Sequence, residues 1–228
     1  MTSSAKRALA APIEAAAAGL ARNESKRGKV AVKRRFLREF MARPGVIGAV
    51  APSSVHLARK MVEGLDLAGA SAVVEFGPGS GVFTEEILKR LGKQAKFFAI
   101  ERNAAMAALV RDRFPGTTVF EDNAAHVDRL CAQMGIGEAG TGRGGVDYVL
   151  SGLPWPSFND QLRTEILEAA HRALKPGGML VTFGYHVGLT MRGAWHFRRE
   201  ARRLFSSMTI SRAVWRNIPP AFIYRCVK

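Results

Sequence analysis

Val73-Val-Glu-Phe-Gly-Pro-Gly-Ser-Gly-Val82 opens on an apolar run, passes through glycines at 77, 79 and 81, and leads into helical periodicity starting near Phe83. A strand that ends in a glycine turn and runs into a helix is the opening unit of a βαβ arrangement. Positions without side chains let a ligand approach the backbone, and a helix N-terminus favours a carboxylate.

Downstream of this unit, strand and helix patterns alternate. Short apolar runs cover 72–76, 96–101, 117–121, 146–150 and 179–183, and most of the segments between them have helical spacing. That alternation predicts a doubly wound α/β fold with a parallel sheet. Beyond Arg203, β-branched and aromatic stretches at 209–215 and 222–227 flank Asn217-Ile-Pro-Pro220 and predict a hairpin that completes the sheet. The loop 135–145 is glycine-rich and reads as a flexible connection.

Upstream, residues 54–65 read as a helix, and 45–54 as a small, apolar, hinge-like segment. Residues 26–43 predict a basic amphipathic helix: Val30, Val32, Phe36, Leu37, Phe40 and Met41 fall on one half, and Arg34, Arg35 and Arg38 on the other. Either core packing or an anionic lipid surface accounts for such a helix. The expected organisation is a tail over 1–25, N-terminal helices over 26–71 and a core over 72–228.

Length and composition fit this plan. The chain has 228 residues, of which 47% are hydrophobic, enough for one core. Cys131 and Cys226 are far apart and form no metal-binding or disulfide pattern, as expected for a reducing compartment. Glu14 interrupts the alanine-rich stretch 8–21, so neither a secretory leader nor a membrane span is expected. The net charge of +15 divides into +8 for residues 1–72, −1 for 73–185 and +8 for 186–228. A neutral core between basic ends suits a polyanionic partner, either nucleic acid or an anionic lipid surface.

The chemistry-bearing residues fall at the ends of the expected strands. Glu101 lies 20 residues after Gly81, where a carboxylate can accept both ribose hydroxyls of a nucleoside cofactor. Asp122-Asn123 is placed to meet an adenine amino group. Ser80 in the glycine turn, with Arg102 and Asn103 after Glu101, completes the candidate cofactor site. A dinucleotide would use similar geometry. The GxGxG spacing, the preceding Glu75 and the acidic end of the third strand favour S-adenosylmethionine instead, with Glu75 beneath its sulfonium and α-amino group.

Ser151-Gly-Leu-Pro-Trp155 follows the fourth strand, where this fold opens to substrate. The carbonyl of Ser151 or Leu153 is expected to accept a hydrogen bond from an attacking amine, and Trp155 to wall the site unless it is only a packing residue. Phe183-Gly-Tyr-His186 ends the fifth strand. Tyr185 is expected to bind the incoming group or, with Trp155, to hold a cation, and His186 to take a proton.

Taken together, these motifs resemble the bacterial phospholipid N-methyltransferases of the Sinorhizobium type, a branch of the class I S-adenosylmethionine-dependent methyltransferases. The likeness covers residues 36–224. It rests on Phe40-Met-Ala-Arg-Pro44, Gly48-Ala-Val-Ala-Pro-Ser-Ser54, Val74-Glu-Phe-Gly-Pro-Gly-Ser-Gly81, Ser151-Gly-Leu-Pro154, Phe183-Gly-Tyr185 and Trp215-Arg-Asn-Ile-Pro-Pro-Ala221.

The resemblance implies a Rossmann-like, mostly parallel seven-stranded sheet with an antiparallel C-terminal hairpin and N-terminal helices. It implies a metal-free transfer of methyl groups from S-adenosylmethionine, released as S-adenosylhomocysteine, to phosphatidylethanolamine on the way to phosphatidylcholine. The enzyme would sit on the cytoplasmic face of the membrane, held on anionic lipid by residues 26–43. Gly184 stands where the family carries Thr, and the segment 191–205 is longer than the family's, which leaves ornithine lipids as an alternative acceptor. A ribosomal RNA adenine N6-methyltransferase is the rival, but Ser151-Gly152 replaces the asparagine those enzymes use to hold adenine. A non-catalytic lipid- or nucleic-acid-binding protein is the other, and the intact glycine turn, Glu101 and Asp122 argue against it.

Overall fold

The computed structural model describes residues 53–137 and 144–228. The expected tail, the amphipathic helix over 26–43, most of the hinge-like segment and the middle of the glycine-rich loop lie outside the described residues.

Strand β1 (Ala72–Phe76) is buried at all five positions because it lies in the middle of the sheet. It pairs in parallel with β2 (Lys96–Ile100) on one side and β4 (Val146–Ser151) on the other. With β3 (Thr118–Phe120), β5 (Leu174–Tyr185), β6 (Ser207–Ile210) and β7 (Ala221–Val227), the order is β3-β2-β1-β4-β5-β7-β6. The first five strands are parallel, and β7 is antiparallel to both of its neighbours. This is the expected seven-stranded Rossmann-like sheet with an antiparallel C-terminal hairpin.

Helices cover both faces. On one face lie α1 (Val55–Val62), α2 (Val82–Leu88) and α3 (Ala104–Arg113), packed on Val73, Ala99, Leu150, Val181 and Ile223. On the other lie α4 (Val127–Gln133), α5 (Asp160–Ala173) and α6 (Arg192–Leu204), packed on Val74, Phe76, Phe98, Leu180 and Tyr224. Alternation along each strand sends neighbouring residues to opposite faces, so the two cores share no side chains. Side-chain caps start three helices: Ser54 for α1, Asn103 for α3 and Asn159 for α5 each accept an N–H from the first turn. Among the described residues, no helix is long and apolar enough to cross a membrane.

The hairpin differs from the sequence expectation. Its first limb ends at Ile210 and does not continue to Trp215. The Ser211 hydroxyl accepts the amide of Ile223 at 3.0 Å, and the chain then leaves the sheet until a single bridge between Val214 and Ala221. Strand β5 is longer than expected, starting at Leu174, because Val146 pairs with Leu174 ahead of an irregularity in the β4–β5 register.

Asp147 anchors the far end of the central strand, accepting the amides of Ser71 at 2.8 Å and Ala72 at 2.9 Å and pairing with Lys175. Replacing it with Ala leaves two amides without their acceptor. Asp147→Ala is expected to cost about 2–3 kcal/mol in urea unfolding, with an unchanged m-value.

Candidate functional site

All the candidate residues sit at the carboxyl edge of the parallel strands, where this topology opens a crevice. The turn after β1 is shaped by left-handed backbone at Gly77 (φ 63°), Gly79 (φ 53°) and Gly81 (φ 79°). A Cβ on Gly77 would lie 2.8 Å from Leu153 Cδ2, and one on Gly81 would lie 2.6 Å from Phe114 Cε2. At Gly79, nothing lies within 4 Å of the Cβ position, so the apex of the turn faces open space. Ser80 follows it, its carbonyl held by Arg113 Nη1 at 2.7 Å.

Glu101, at the end of β2, reaches across to this turn. One carboxylate oxygen accepts the amide of Gly79 at 3.2 Å and the other accepts that of Asn103 at 2.9 Å. Burial raises its pKa, an effect partly offset by these amides and by Arg102. The side-chain oxygen of Asn103 is used to cap α3, accepting Met106 N–H at 3.1 Å. Asp122, after β3, accepts its neighbour's amide at 2.7 Å, contacts His126 Nδ1 at 2.7 Å and pairs with Arg129. These partners, His126 first, hold its carboxyl below the usual range. Asn123 caps the short 3-10 turn at Ala124–His126.

Glu75 is the least satisfied of the candidates. It is fully buried; one oxygen accepts the Thr84 hydroxyl at 2.7 Å, and the other is the one buried side-chain polar atom among the described residues without a partner. Desolvation, offset in part by Thr84 and reinforced by nearby Glu101, pushes its pKa up to about 8.

Three expectations are corrected on the acceptor side. Trp155 does not wall the site. Its ring is buried, its Nε1 donates to Thr182 Oγ1 at 2.8 Å, and it packs 5.1 Å from Phe197 in the core beneath α5 and α6. Tyr185 belongs to the opposite face with Phe183, their rings edge-on at 5.3 Å, so Trp155 and Tyr185 form no shared cage. The Ser151 carbonyl accepts the Thr182 hydroxyl at 3.0 Å in the sheet interior and the Leu153 carbonyl accepts the Trp155 amide at 3.0 Å, while the Ser151 hydroxyl accepts the Leu153 amide at 3.3 Å.

Burial raises the pKa of Tyr185, and the Ser53 side chain hydrogen-bonds to it. His186 is exposed and stacks on Phe222 at 5.7 Å. Phe222 lies between Ala221 and Ile223, both in the α1–α2 core, so it projects from the face opposite Tyr185.

Sequence reasoning missed Thr84, Thr182 and Arg163. Buried Arg163 donates to the carbonyls of Trp155 (3.1 Å) and Phe158 and pairs with Asp160 at 2.6 Å, pinning the loop after β4. Its place on α5, a helix with charged neighbours, hid it among surface residues. Gly184, the departure noted in the fifth strand, is explained by packing: a Cβ there would sit 3.0 Å from the Tyr224 ring.

A methyltransferase-domain family model matches residues 73–178. Over 194 residues, 84% of this chain and 93% of the relative, the sequence is 32% identical to the ornithine lipid N-methyltransferase of Singulisphaera acidiphila. The chain belongs to the class I S-adenosylmethionine-dependent methyltransferases. The ribosomal RNA small subunit methyltransferase A of Acidobacterium capsulatum is 40% identical, but over only 31% of this chain and 25% of its own length. A putative O-methyltransferase from Klebsiella pneumoniae shares the fold with a TM-score of 0.60, 15% identity and coverage of 84% of this chain and 89% of that one.

The methyltransferase uses S-adenosylmethionine, and the crevice fits a cationic nucleoside. The unpartnered oxygen of Glu75 lacks a donor or positive charge, the apex at Gly79 has room for one, and Glu101 faces the same turn.

Two measurements follow. A carboxyl whose pKa rises on folding gives stability that is fully present below its unfolded value near 4.5 and lost as pH climbs towards 8. Without ligand, wild-type protein is expected to lose stability over that window, and Glu75→Gln to flatten this part of the profile in thermal melts. Trp155→Phe removes the Thr182 bond and leaves a cavity where the second ring packed, so it is expected to cost about 2–3 kcal/mol in urea unfolding. Its turnover should stay within about twofold of wild type, since the ring is buried in the core beneath α5 and α6 and does not wall the crevice.

Proposed function

We propose that this methyltransferase N-methylates the head-group amine of a membrane lipid, with an ornithine lipid as the first acceptor. The observation that carries this reading is the likeness to an ornithine lipid N-methyltransferase along 93% of that enzyme's length. The ribosomal RNA relatives match over less than half of this chain. The Ser151 side chain, short, buried and bonded to Leu153, has no carboxamide to present to an adenine. Phosphatidylethanolamine is the second reading, favoured by Ser151-Gly-Leu-Pro154 and Asn217-Ile-Pro-Pro-Ala221.

In this reading, Glu75 lies beneath the positive charges of the cofactor. Gly77, Gly79, Ser80 and Gly81 let it approach the backbone, and Glu101, flanked by Arg102 and Asn103, accepts the ribose hydroxyls. Asp122 and Asn123 border the adenine, with Asp122 oriented by His126 and Arg129. When bound, S-adenosylmethionine supplies an electrophilic methyl group on a sulfonium.

The chain's own contribution on the acceptor side is orientation. Tyr185, a neutral phenol at neutral pH whose pKa burial raises further, accepts an N–H of the amine and aims the lone pair; it does not take the proton. Phe183 and Phe83, whose rings lie 5.6 Å apart, continue the apolar wall from Tyr185. The proton leaves from an ammonium that loses it more readily once desolvated. The enzyme works at the cytoplasmic membrane surface, bound to anionic lipid.

The test offers labelled S-adenosylmethionine with vesicles of ornithine lipid, vesicles of phosphatidylethanolamine, or unmodified ribosomal RNA. Label is expected in methylated lipid. Tyr185→Phe should lower turnover about tenfold, the worth of one orienting hydrogen bond, while His186→Ala changes it less than threefold, roughly the scatter of a surface change. Label confined to RNA would sink the lipid reading.

A further inference from the structure

Six large apolar side chains are exposed among the described residues: Val55, Met191, Trp195, Ile210, Trp215 and Ile218. All six belong to one end of the fold. Val55 opens α1 beside Ser54, whose amide donates to Asn217 Oδ1 at 2.9 Å. Ile210 ends β6, which runs in the same direction as β5. Met191 and Trp195 follow the end of β5, where a Cβ on Gly193 would lie 2.3 Å from the Pro156 carbonyl oxygen in the loop after β4. Trp215 and Ile218 occupy the β6–β7 loop, whose last residue, Pro220, accepts the His186 amide at 2.8 Å. The carboxyl edge that holds the crevice thus also holds these exposed apolar groups.

The β6–β7 loop holds its tip outward on an ordered backbone. Asn217 is buried; besides accepting from Ser54, it donates through Nδ2 to the Pro219 carbonyl at 2.7 Å, and its amide donates to Val214 at 3.2 Å. The bridge between Val214 and Ala221 closes the loop. With its neck fixed in this way, Trp215 stays 73% exposed and Ile218 85% exposed. Cations share the loop and this edge with them. Arg212 and Arg216 are exposed and make no ion pair among the described residues, and Arg199 stacks over the Trp195 ring at 5.0 Å. Residues 186–228 hold nine Lys/Arg and a single acidic residue, Glu200, which pairs with Arg199 and Arg203.

We infer that this edge, centred on Trp215 and Ile218, docks on an anionic lipid bilayer, independently of residues 1–52. Trp and Arg together suit the head-group zone, where an apolar body and a charged rim are both satisfied. Phosphate-rich nucleic acid would satisfy the arginines but leave Ile218 uncovered, so the apolar pair selects a bilayer. Docking by this edge places the crevice mouth at the head groups, so an acceptor amine reaches it without leaving the membrane. The inference rests on the lipid reading for its purpose but is tested separately.

The chain contains three tryptophans, and residues 1–52 contain none, so tryptophan fluorescence reports on residues 53–228 alone. In full-length Trp195→Phe protein, the remaining tryptophans are buried Trp155 and exposed Trp215. Vesicles of phosphatidylcholine and phosphatidylglycerol with brominated acyl chains are expected to quench its emission. Vesicles without phosphatidylglycerol should quench much less, and protein also carrying Trp215→Phe should not be quenched. Trp215→Ser/Ile218→Ser is expected to weaken vesicle partition at least about tenfold, with cofactor affinity retained as the check on folding.

Protein that sediments with vesicles while Trp215 stays unquenched would overturn the inference, because another segment would then hold it. An RNA oligonucleotide that shifts Trp215 emission when vesicles do not would overturn it as well. Methylated vesicle lipid with unquenched Trp215 removes this docking mode and leaves the proposed acceptor standing. Quenching without lipid methylation does the reverse.

Discussion

The turns after β1 and β4 pass so close that the backbone of the first leaves no room for a side chain at Gly152 in the second. A Cβ on Gly152 would lie 2.5 Å from the Gly77 carbonyl oxygen. Both turns extend the sheet's hydrogen bonding past the last paired residues, with Gly152 N–H donating to Phe76 at 2.7 Å and Gly77 N–H donating to Ile100 at 2.8 Å. Bonds of this kind fix the separation of β1 and β4 where the crevice opens. Glu75, Ser151 and the apex at Gly79 inherit their positions from this crossing, and Leu153 packs under the glycine turn because of it.

Against that rigid frame, Glu75 is a local violation of good packing. A carboxylate with no solvent exposure, one bonded oxygen and a second acidic group nearby is costly in the ligand-free fold. Such a group persists where a bound cation completes it, and the methyl donor of this family carries positive charge. Thr84 offers a neutral hydroxyl, which orients the carboxylate without neutralising it.

The sheet also separates two roles that lie side by side in sequence. Beneath the acceptor side, Trp155, Thr182 and the Ser151 carbonyl form a closed hydrogen-bonded group on the face covered by α5 and α6. Arg163 locks the loop above it. On the other face, Phe83, Phe183 and Tyr185 line up towards Ser53. The tightly satisfied face gives the crevice a stiff floor, while Tyr185 on the aromatic face and the apolar, arginine-rich edge beyond it are less enclosed.

The sequence alone determined the α/β alternation, the glycine turn, the acidic residue after β2 and the antiparallel ending. Each of these depends on local spacing: period-two and period-3.6 hydrophobicity, and glycine where φ is positive. Trp155 and Tyr185 both follow strand ends and looked equivalent there, yet they lie on opposite faces. Only the tertiary structure decided this, because the face taken by a residue depends on strand register and on the path of the turn that follows, and neither is encoded locally. The same holds for Arg163, whose burial depends on a loop folded back over α5, and for Asn217, whose partner Ser54 lies 163 residues away. Pairings across such distances arise from packing, which no stretch of sequence specifies by itself.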